Sequence, residues 1–492
     1  MIRTLTSLTL LTVALTACAP KGSPMTEYHN PAEVQASRTE KGSTFTLTAA
    51  ETSITLDGKE VKAQLFNQSF PGPQLTLQAG EQVNLTLKND LREPTNLHLH
   101  GLTLPAGVDD PFLQVQPGES HTYSFTVPQG LHGTFWYHTH THGHLGTQLF
   151  QGLAGPLIVE DPTFDSHIQG METHTVVLKD LPVEVQDSDG TRMNGREGKL
   201  LVNGLSSPTL KTESSWVRLR LINASNARYD LLKLSGSAFL HVIAKDGIDL
   251  PKTEQVKELL LTPGERADVL ISVQDQQDLR LENHPYDRGV HEMDGGHQGH
   301  TPSTPEVLLT LQGKKGSVSA SVPQPALQPR PFLKVTGNEA IRKVVLQETM
   351  QPVKFFINGR TFDMNRVDFH VSEGTTEIWE VENQTEMDHP FHLHTFPVQV
   401  LSVNGQEVPP VWKDTVNVPA KAKVQVAVKF EGFTGKTVFH CHIAEHEEEG
   451  MMGVLQVHPA GEALPASLTP TLPPAAASED MPDMPGMDHS GH

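Results

Sequence analysis

Cysteine is nearly absent: Cys18 and Cys441 are the only two in 492 residues, so at most one disulfide could form. Positive charge is also short. Lys and Arg number 37 against 58 Asp and Glu, a net charge of −21, and a field of that sign repels phosphate backbones and anionic lipid headgroups. Nucleic acid is excluded as a partner on this ground. Beyond the first 18 residues no stretch approaches the roughly 18 consecutive apolar residues of a membrane-spanning helix, so the mature chain is not expected to cross a membrane. Hydrophobic residues make up 37% and charged residues 19%, with 39 Gly and 36 Pro. That turn-rich balance favours β structure over long helices and excludes collagen and wholesale disorder. At roughly 150 residues per domain, the length suggests about three domains. What is plentiful is histidine, 26 residues, and grouped neutral imidazoles are what transition-metal sites need.

The segment 1–18 has one early cation (Arg3), an apolar stretch from Leu8 to Leu15 and small residues before Cys18, the pattern of an export signal. Leu15-Thr16-Ala17-Cys18 resembles the bacterial lipobox, which implies acylation of Cys18 and a lipid anchor on the extracytoplasmic side of a membrane. Residues 19–43 lack periodicity and read as a tether. From residue 44 onward, short alternating segments such as TFTLTA and QVNLTLKN are separated by Gly, Pro, Asn and Asp, which is strand and turn chemistry. Similar stretches begin near Leu65, Leu201 and Phe356, a spacing of whole domains rather than of solenoid units. The expectation is all-β: three consecutive β-sandwiches over 44–161, 162–325 and 326–459. Loop 284–305 and tail 460–492 are polar or Pro/Ala-rich and carry His and Met. Both read as solvated, unstructured segments, with metal capture as the alternative.

Four histidine motifs carry the chemistry: HLHG from His98, HTH from His138, HPFHLH from His389 and HCHIAEH from His440. Residues i and i+2 of a strand share a face. The pairs His98 with His100, His138 with His140, His392 with His394, and His440 with His442 therefore each present two imidazoles side by side. Two pairs lie in the first repeat and two in the third, so their convergence requires a site between those domains. Cys441 must point the other way from His440 and His442. With His389, His446 and a weak axial thioether from Met451, it completes the ligand list of a blue-copper centre. The backbone between Cys441 and its two neighbours would then wire one site to the other, wiring from which redox-inert zinc would gain nothing.

On these motifs, in order and spacing from about residue 44 to residue 458, the chain resembles the three-domain multicopper oxidases of the bacterial laccase and cuprous-oxidase kind. The resemblance implies cupredoxin-like Greek-key domains and four copper ions. It assigns His389, Cys441 and His446, with Met451 axial, to a type 1 copper, and His98 and His392 to a type 2 copper. His100, His138, His140, His394, His440 and His442 match the type 3 pair. The family's proton-relay acids match Asp109 and Glu447. One-electron oxidation of a substrate would be coupled to reduction of dioxygen to water in a protein expected to be monomeric. The methionine-rich insert of specialised cuprous oxidases is missing, since the third domain before His389 holds only Met350, Met364 and Met387. Phenols and aromatic amines are the first expectation for reductant. Cuprous ion in copper tolerance is the alternative, because Glu386, Met387 and Asp388 flank His389. A non-catalytic copper-binding protein, a relative with decayed sites and a copper nitrite reductase are the other classes, and the complete ligand set argues against each. His142 and His144 read as surface or supporting residues. His121, His132, His167, His174, His241, His370 and His458 read as ordinary polar positions.

Overall fold

The computed structural model describes residues 26–39, 42–56, 59–105, 107–161, 171–181, 199–273, 278–289, 304–313, 321–350 and 353–473. The expected signal segment with Cys18, the expected start of the second domain at 162, the central part of the histidine-rich loop (290–303) and the tail beyond 473 lie outside them. Among the described residues no helix is long and apolar enough to cross a membrane.

Alternation builds the sheets. In Gly42–Leu56, Phe45, Leu47 and Ala49 point inward while Thr44 and Thr46 face water, the period-2 pattern of a strand with one buried face. The result is three consecutive sandwiches, each with its own buried apolar cluster. The first pairs a five-stranded with a four-stranded sheet, and the second and third each pair a six-stranded with a five-stranded sheet.

The six-stranded sheets follow one path. In the second sandwich the order is Lys199–Val202, Glu172–Leu181, Trp216–Asn223, Arg266–Ser272, Leu240–Lys245, Ile248–Val256. In the third it is Val353–Ile357, Ala340–Met350, Thr376–Asn383, Lys423–Lys429, Val398–Val403, Gln406–Lys413. In both, only the second and third strands are parallel. Both also carry a bulge at the same place, at Val242/Ala244 and Val400/Ser402. The repeat seen in sequence is thus a repeat of topology.

Register then places the motifs. His98–His100 pairs antiparallel with Gly133–His138, bringing His98 opposite His138. His389–Leu393 pairs with Gly435–Cys441, bringing His392 opposite His440 and Phe391 opposite Cys441. Each outer sandwich so assembles its own two pairs, and the sandwiches bring the four pairs together. A buried cluster of Trp136, Leu145, Leu149, Ala154, Val177, Ile222, Ala224 and Ala444 spans all three.

The second sandwich is also tied to the first by charge. Asp268 accepts from Arg218 Nε at 3.1 Å and lies 3.4 Å from Arg220 Nη1, which donates to Thr134 Oγ1 of the first sandwich at 2.9 Å. Burial pushes the Asp268 carboxyl up, but the two guanidinium groups outweigh it and hold it below the usual range. Its contribution to stability is present above the unfolded Asp value of about 3.9 and is lost as pH falls through the lower folded value. Asp268→Ala leaves two buried cations without their shared partner, and stability should fall by about 3–5 kcal/mol. The check is a lower first thermal transition at pH 7, with the gap between variant and parent closing in acid.

Three segments expected to be free are in part docked. Of the tether, Tyr28 donates from its backbone N to Thr209 O at 2.9 Å and from its hydroxyl to Thr175 O at 2.8 Å, and Ser37–Thr39 pairs with the start of Gly42–Leu56. Of the tail, Ser467 Oγ accepts from His370 N at 2.9 Å and Thr471 N donates to Asn358 O at 3.1 Å. The first residues of the histidine-rich loop lie against the third sandwich, where Tyr286 donates to Asp388 Oδ2 at 2.7 Å. Apart from the short strand Ser37–Thr39, a few backbone or side-chain hydrogen bonds do the holding, and these leave no periodic trace in sequence.

Candidate metal centre

All eight imidazoles of the four pairs are buried between the first and third sandwiches. His98 stacks on His394 with ring centroids 3.8 Å apart, and His100 on His392 at 4.0 Å. Ring nitrogens face one another: His140 Nε2 lies 3.3 Å and His394 Nε2 3.0 Å from His440 Nε2, and His442 Nε2 lies 3.3 Å from His100 Nδ1. One proton on His440 Nε2 cannot satisfy both neighbours, and His98 Nε2, His138 Nε2 and His392 Nε2 are buried with no hydrogen-bond partner among the described residues. Buried unpaired nitrogens cost free energy in a protein core. Nitrogens converging in this way fit transition-metal ions.

The opposite ring nitrogens have acceptors. His98 Nδ1 lies 2.9 Å from Asp109 Oδ2, His138 Nδ1 2.7 Å from Thr139 O, and His392 Nδ1 2.8 Å from Asp414 O. A ring proton held there leaves the lone pair on the inward nitrogen, the usual outer support of metal-binding histidine. His100 is reversed: its Nε2 faces Asp414 Oδ1 at 3.0 Å, so Nδ1 points inward. Burial, reinforced by neighbouring imidazoles, pulls His100, His138, His392, His394 and His442 well below the usual value, and burial takes His140 to about 4 although Glu447 opposes it. Neutral rings are what ligation requires. Glu447, on the helix Ala444–Glu448, spans His140 Nε2 at 3.1 Å and His440 Nδ1 at 2.8 Å. Burial raises its carboxyl, but the two imidazoles outweigh that and bring it to about 2.

Cys441 faces the other side. Its Sγ is 3.4 Å from His389 Nδ1 and 3.6 Å from His446 Nδ1, and those nitrogens are 3.1 Å apart. Thr385 Oγ1 lies 2.8 Å from His389 Nε2, turning Nδ1 toward the sulfur, and Phe355 stacks on His446 at 4.0 Å. Met451 is fully buried in the same apolar cluster, and its carbonyl accepts from Cys441 N at 3.1 Å. Burial pushes the Cys441 thiol far up and takes His389 down to about 3. Two imidazoles and a thiol thus stand in one dry pocket, the donor set of a soft-metal site.

Three residues around the eight imidazoles, Asp414, Arg266 and Gly264, lie outside the four histidine motifs, and a fourth, Gly101, closes one of them. Asp414 accepts from Arg266 Nη1 at 2.8 Å and Nη2 at 2.7 Å while facing His100. Burial pushes Asp414 up to about 6 against the pull of Arg266. Gly101, which closes the HLHG motif, has φ +92, and a Cβ there would press on the Arg266 guanidinium and Asp414. Gly264 of the second sandwich has φ +90, and a Cβ there would lie 2.9 Å from the His442 ring. Gly264→Ala combines a disfavoured backbone with a push on an inward imidazole. Metal affinity at this cluster should fall on the order of tenfold, read as metal retained after dialysis against a graded chelator. The middle sandwich thus supplies none of the eight imidazoles, yet walls them in.

Among the remaining histidines, His142 packs edge-on against Phe362 at 4.7 Å. His370 and His458 were expected to stand apart, but Nδ1 of one is 2.9 Å from Nε2 of the other. Adjacent parallel strands bring them together, a pairing that sequence spacing does not reveal.

Residues 48–163 and 334–461 each match a family profile described as multicopper oxidase. The multicopper oxidase mco of Staphylococcus epidermidis is 32% identical over 82% of this chain and 88% of its own length. The cell division protein FtsP of Shigella dysenteriae is 29% identical over 84% and 89%. Among solved structures, the multicopper oxidase of Campylobacter jejuni, titled a metallo-oxidase, superposes with a TM-score of 0.77 at 28% identity, covering 89% of this chain and 97% of its own. A laccase of Pediococcus acidilactici superposes at 0.76 and 30% identity, over 89% and 95%. Three sandwiches, imidazole pairs converging between the outer two and a thiol standing with two further imidazoles agree with these likenesses, and the chain belongs to the multicopper oxidase family.

Proposed function

We propose that this protein is a working oxidase of laccase-like type, holding four copper ions and taking electrons one at a time from small phenols or aromatic amines. The observation that carries the reading is the placement of Cys441: its sulfur stands with His389 and His446, while His440 and His442 on either side reach into the eight-imidazole cluster. Bound copper supplies one-electron redox chemistry at the first site and four-electron reduction of dioxygen to water at the second. In this reading His389, Cys441 and His446, with Met451, hold the type 1 ion, and His98 and His392 the type 2 ion. His100, His138, His140, His394, His440 and His442 hold the type 3 pair.

The chain's own groups do the rest. Cys441 joins the two sites by a covalent path of one residue in each direction. Asp109 fixes His98 and also accepts from Leu99 N at 3.1 Å, and in this reading it is the first carboxylate that passes protons to the cluster. Glu447, shared between His140 and His440, is in this reading the second carboxylate that passes protons.

One observation favours cuprous ion as reductant instead: Met387 is half-buried and Glu386 exposed, both within three residues of His389, which puts a thioether and a carboxylate at the approach to the first site. Dioxygen uptake by the copper-loaded protein, measured with a phenol and with cuprous ion at matched concentrations, separates the two. Faster turnover of the phenol supports the laccase-like reading, and faster turnover of cuprous ion replaces it with a copper-oxidising one. No uptake with either donor leaves a copper-binding protein without oxidase activity.

A further inference from the structure

A segment of the middle sandwich crosses onto the third one beside Cys441. After the strand Leu279–His284, Tyr286 stacks on Tyr229 with ring planes 3° apart and donates to Asp388, the residue before His389. Asp388 N donates in turn to the carbonyl of Arg288 at 2.8 Å. A Cβ on Gly289 would collide with the Glu386 carbonyl, so the backbone lies flat on the chain leading into His389. Arg288 is therefore pinned on both sides, and its guanidinium carbon sits 5.8 Å from the centre of the Tyr229 ring. Tyr229 belongs to the same buried cluster as Cys441 and Met451.

The Arg288 side chain departs from ordinary arginine behaviour. The residue is only 9% exposed, and Nη1 is buried without a hydrogen-bond partner among the described residues. The nearby carboxylate, Asp388, spends its oxygens on Tyr286, Asn417 Nδ2 at 2.9 Å and Ala420 N at 2.9 Å rather than on this cation. A buried guanidinium nitrogen without a hydrogen-bond partner costs stability. The carbonyl of Arg288 is bonded to the residue before His389, and its guanidinium lies over Tyr229, which packs in the cluster that holds Cys441 and Met451, so its charge stands beside the sulfur site.

We infer that Arg288 is a positioning residue of the electrostatic kind, a buried cation of the middle sandwich that raises the reduction potential of a copper ion held by His389, Cys441 and His446. A positive charge near a metal disfavours its more positive oxidation state, and low surrounding polarity strengthens the effect. The site then takes electrons more readily from weak reductants. The inference rests on the reading of those three residues as a type 1 centre.

The test is a redox titration of the copper-loaded protein, following the visible band of that centre in the parent and in R288Q, R288M and R288K. The neutral variants remove a buried charge that makes no ion pair among the described residues, so they should fold and load copper. If R288Q does not, R288M, which keeps the aliphatic stem on Tyr229, serves as the neutral variant. The expected result is that the reduced-to-oxidised ratio at a fixed poise falls roughly tenfold in R288Q and R288M, equivalent to about 59 mV for a one-electron couple, while R288K stays near the parent. An unchanged ratio in the neutral variants, or a shift in R288K as large as in R288Q, overturns the inference. A parent protein without the visible band would instead overturn the type 1 reading itself.

Discussion

Cys441→Ser should abolish the intense visible band of the copper-loaded protein and reduce dioxygen uptake by roughly 10³-fold or more with any donor, the scale of removing an obligatory catalytic group. The argument is geometric. Cys441 is the only cysteine among the described residues, and its sulfur is the one soft donor placed between the two Nδ1 atoms of His389 and His446. Serine fills nearly the same space, so the strand Gly435–Cys441 and the inward imidazoles on either side should keep their places. Copper at the eight-imidazole cluster should accordingly survive while one copper per chain is lost. Copper content together with the spectrum checks this. Loss of all copper in the variant would mean that the cysteine holds up the fold rather than one site.

Asp414→Ala should have the second-largest effect. It removes the acceptor on His100 Nε2 that leaves Nδ1 free to point inward, and support of this kind is typically worth 10–100-fold in metal affinity. It also takes the bidentate carboxylate from fully buried Arg266 and leaves Asp246 Oδ1, at 3.7 Å, as its closest acidic partner, at a cost of about 3 kcal/mol. Asp414→Asn separates the two effects, because an amide can still accept from the imidazole but cannot neutralise the guanidinium. Affinity should therefore be better kept in Asn than in Ala, while the thermal transition falls in both. Equal copper retention in parent and Ala variant would remove Asp414 from any role at the cluster.

The outer sandwiches announce themselves in sequence because their chemistry is local. A His-X-His on a strand fixes two imidazoles on one face, and HCH fixes a sulfur on the other, whatever lies far away in the chain. The topological repeat was legible for the same reason, through strand alternation at domain spacing. The middle sandwich was not legible as part of the site. Arg266 reaches Asp414 across 148 residues of sequence, Gly264 matters only because a ring from the third sandwich rests on it, and nothing in the local pattern of either tells a buried ion pair or a close approach from an ordinary turn. The docked parts of the presumed tether, loop and tail escaped for a related reason. Tyr28 and Thr471 are each held by a pair of hydrogen bonds, and such bonds impose no periodicity on the segment that makes them.

The most direct test of the account is the ratio of donor oxidised to dioxygen consumed by the copper-loaded protein, measured together with copper content and hydrogen peroxide. The account requires four coppers per chain, four one-electron oxidations per dioxygen and no peroxide released, because electrons collected one at a time at the Cys441 site must reach the eight-imidazole cluster before dioxygen leaves. Copper-loaded protein that consumes no dioxygen, or that yields peroxide at two electrons per dioxygen, would contradict it.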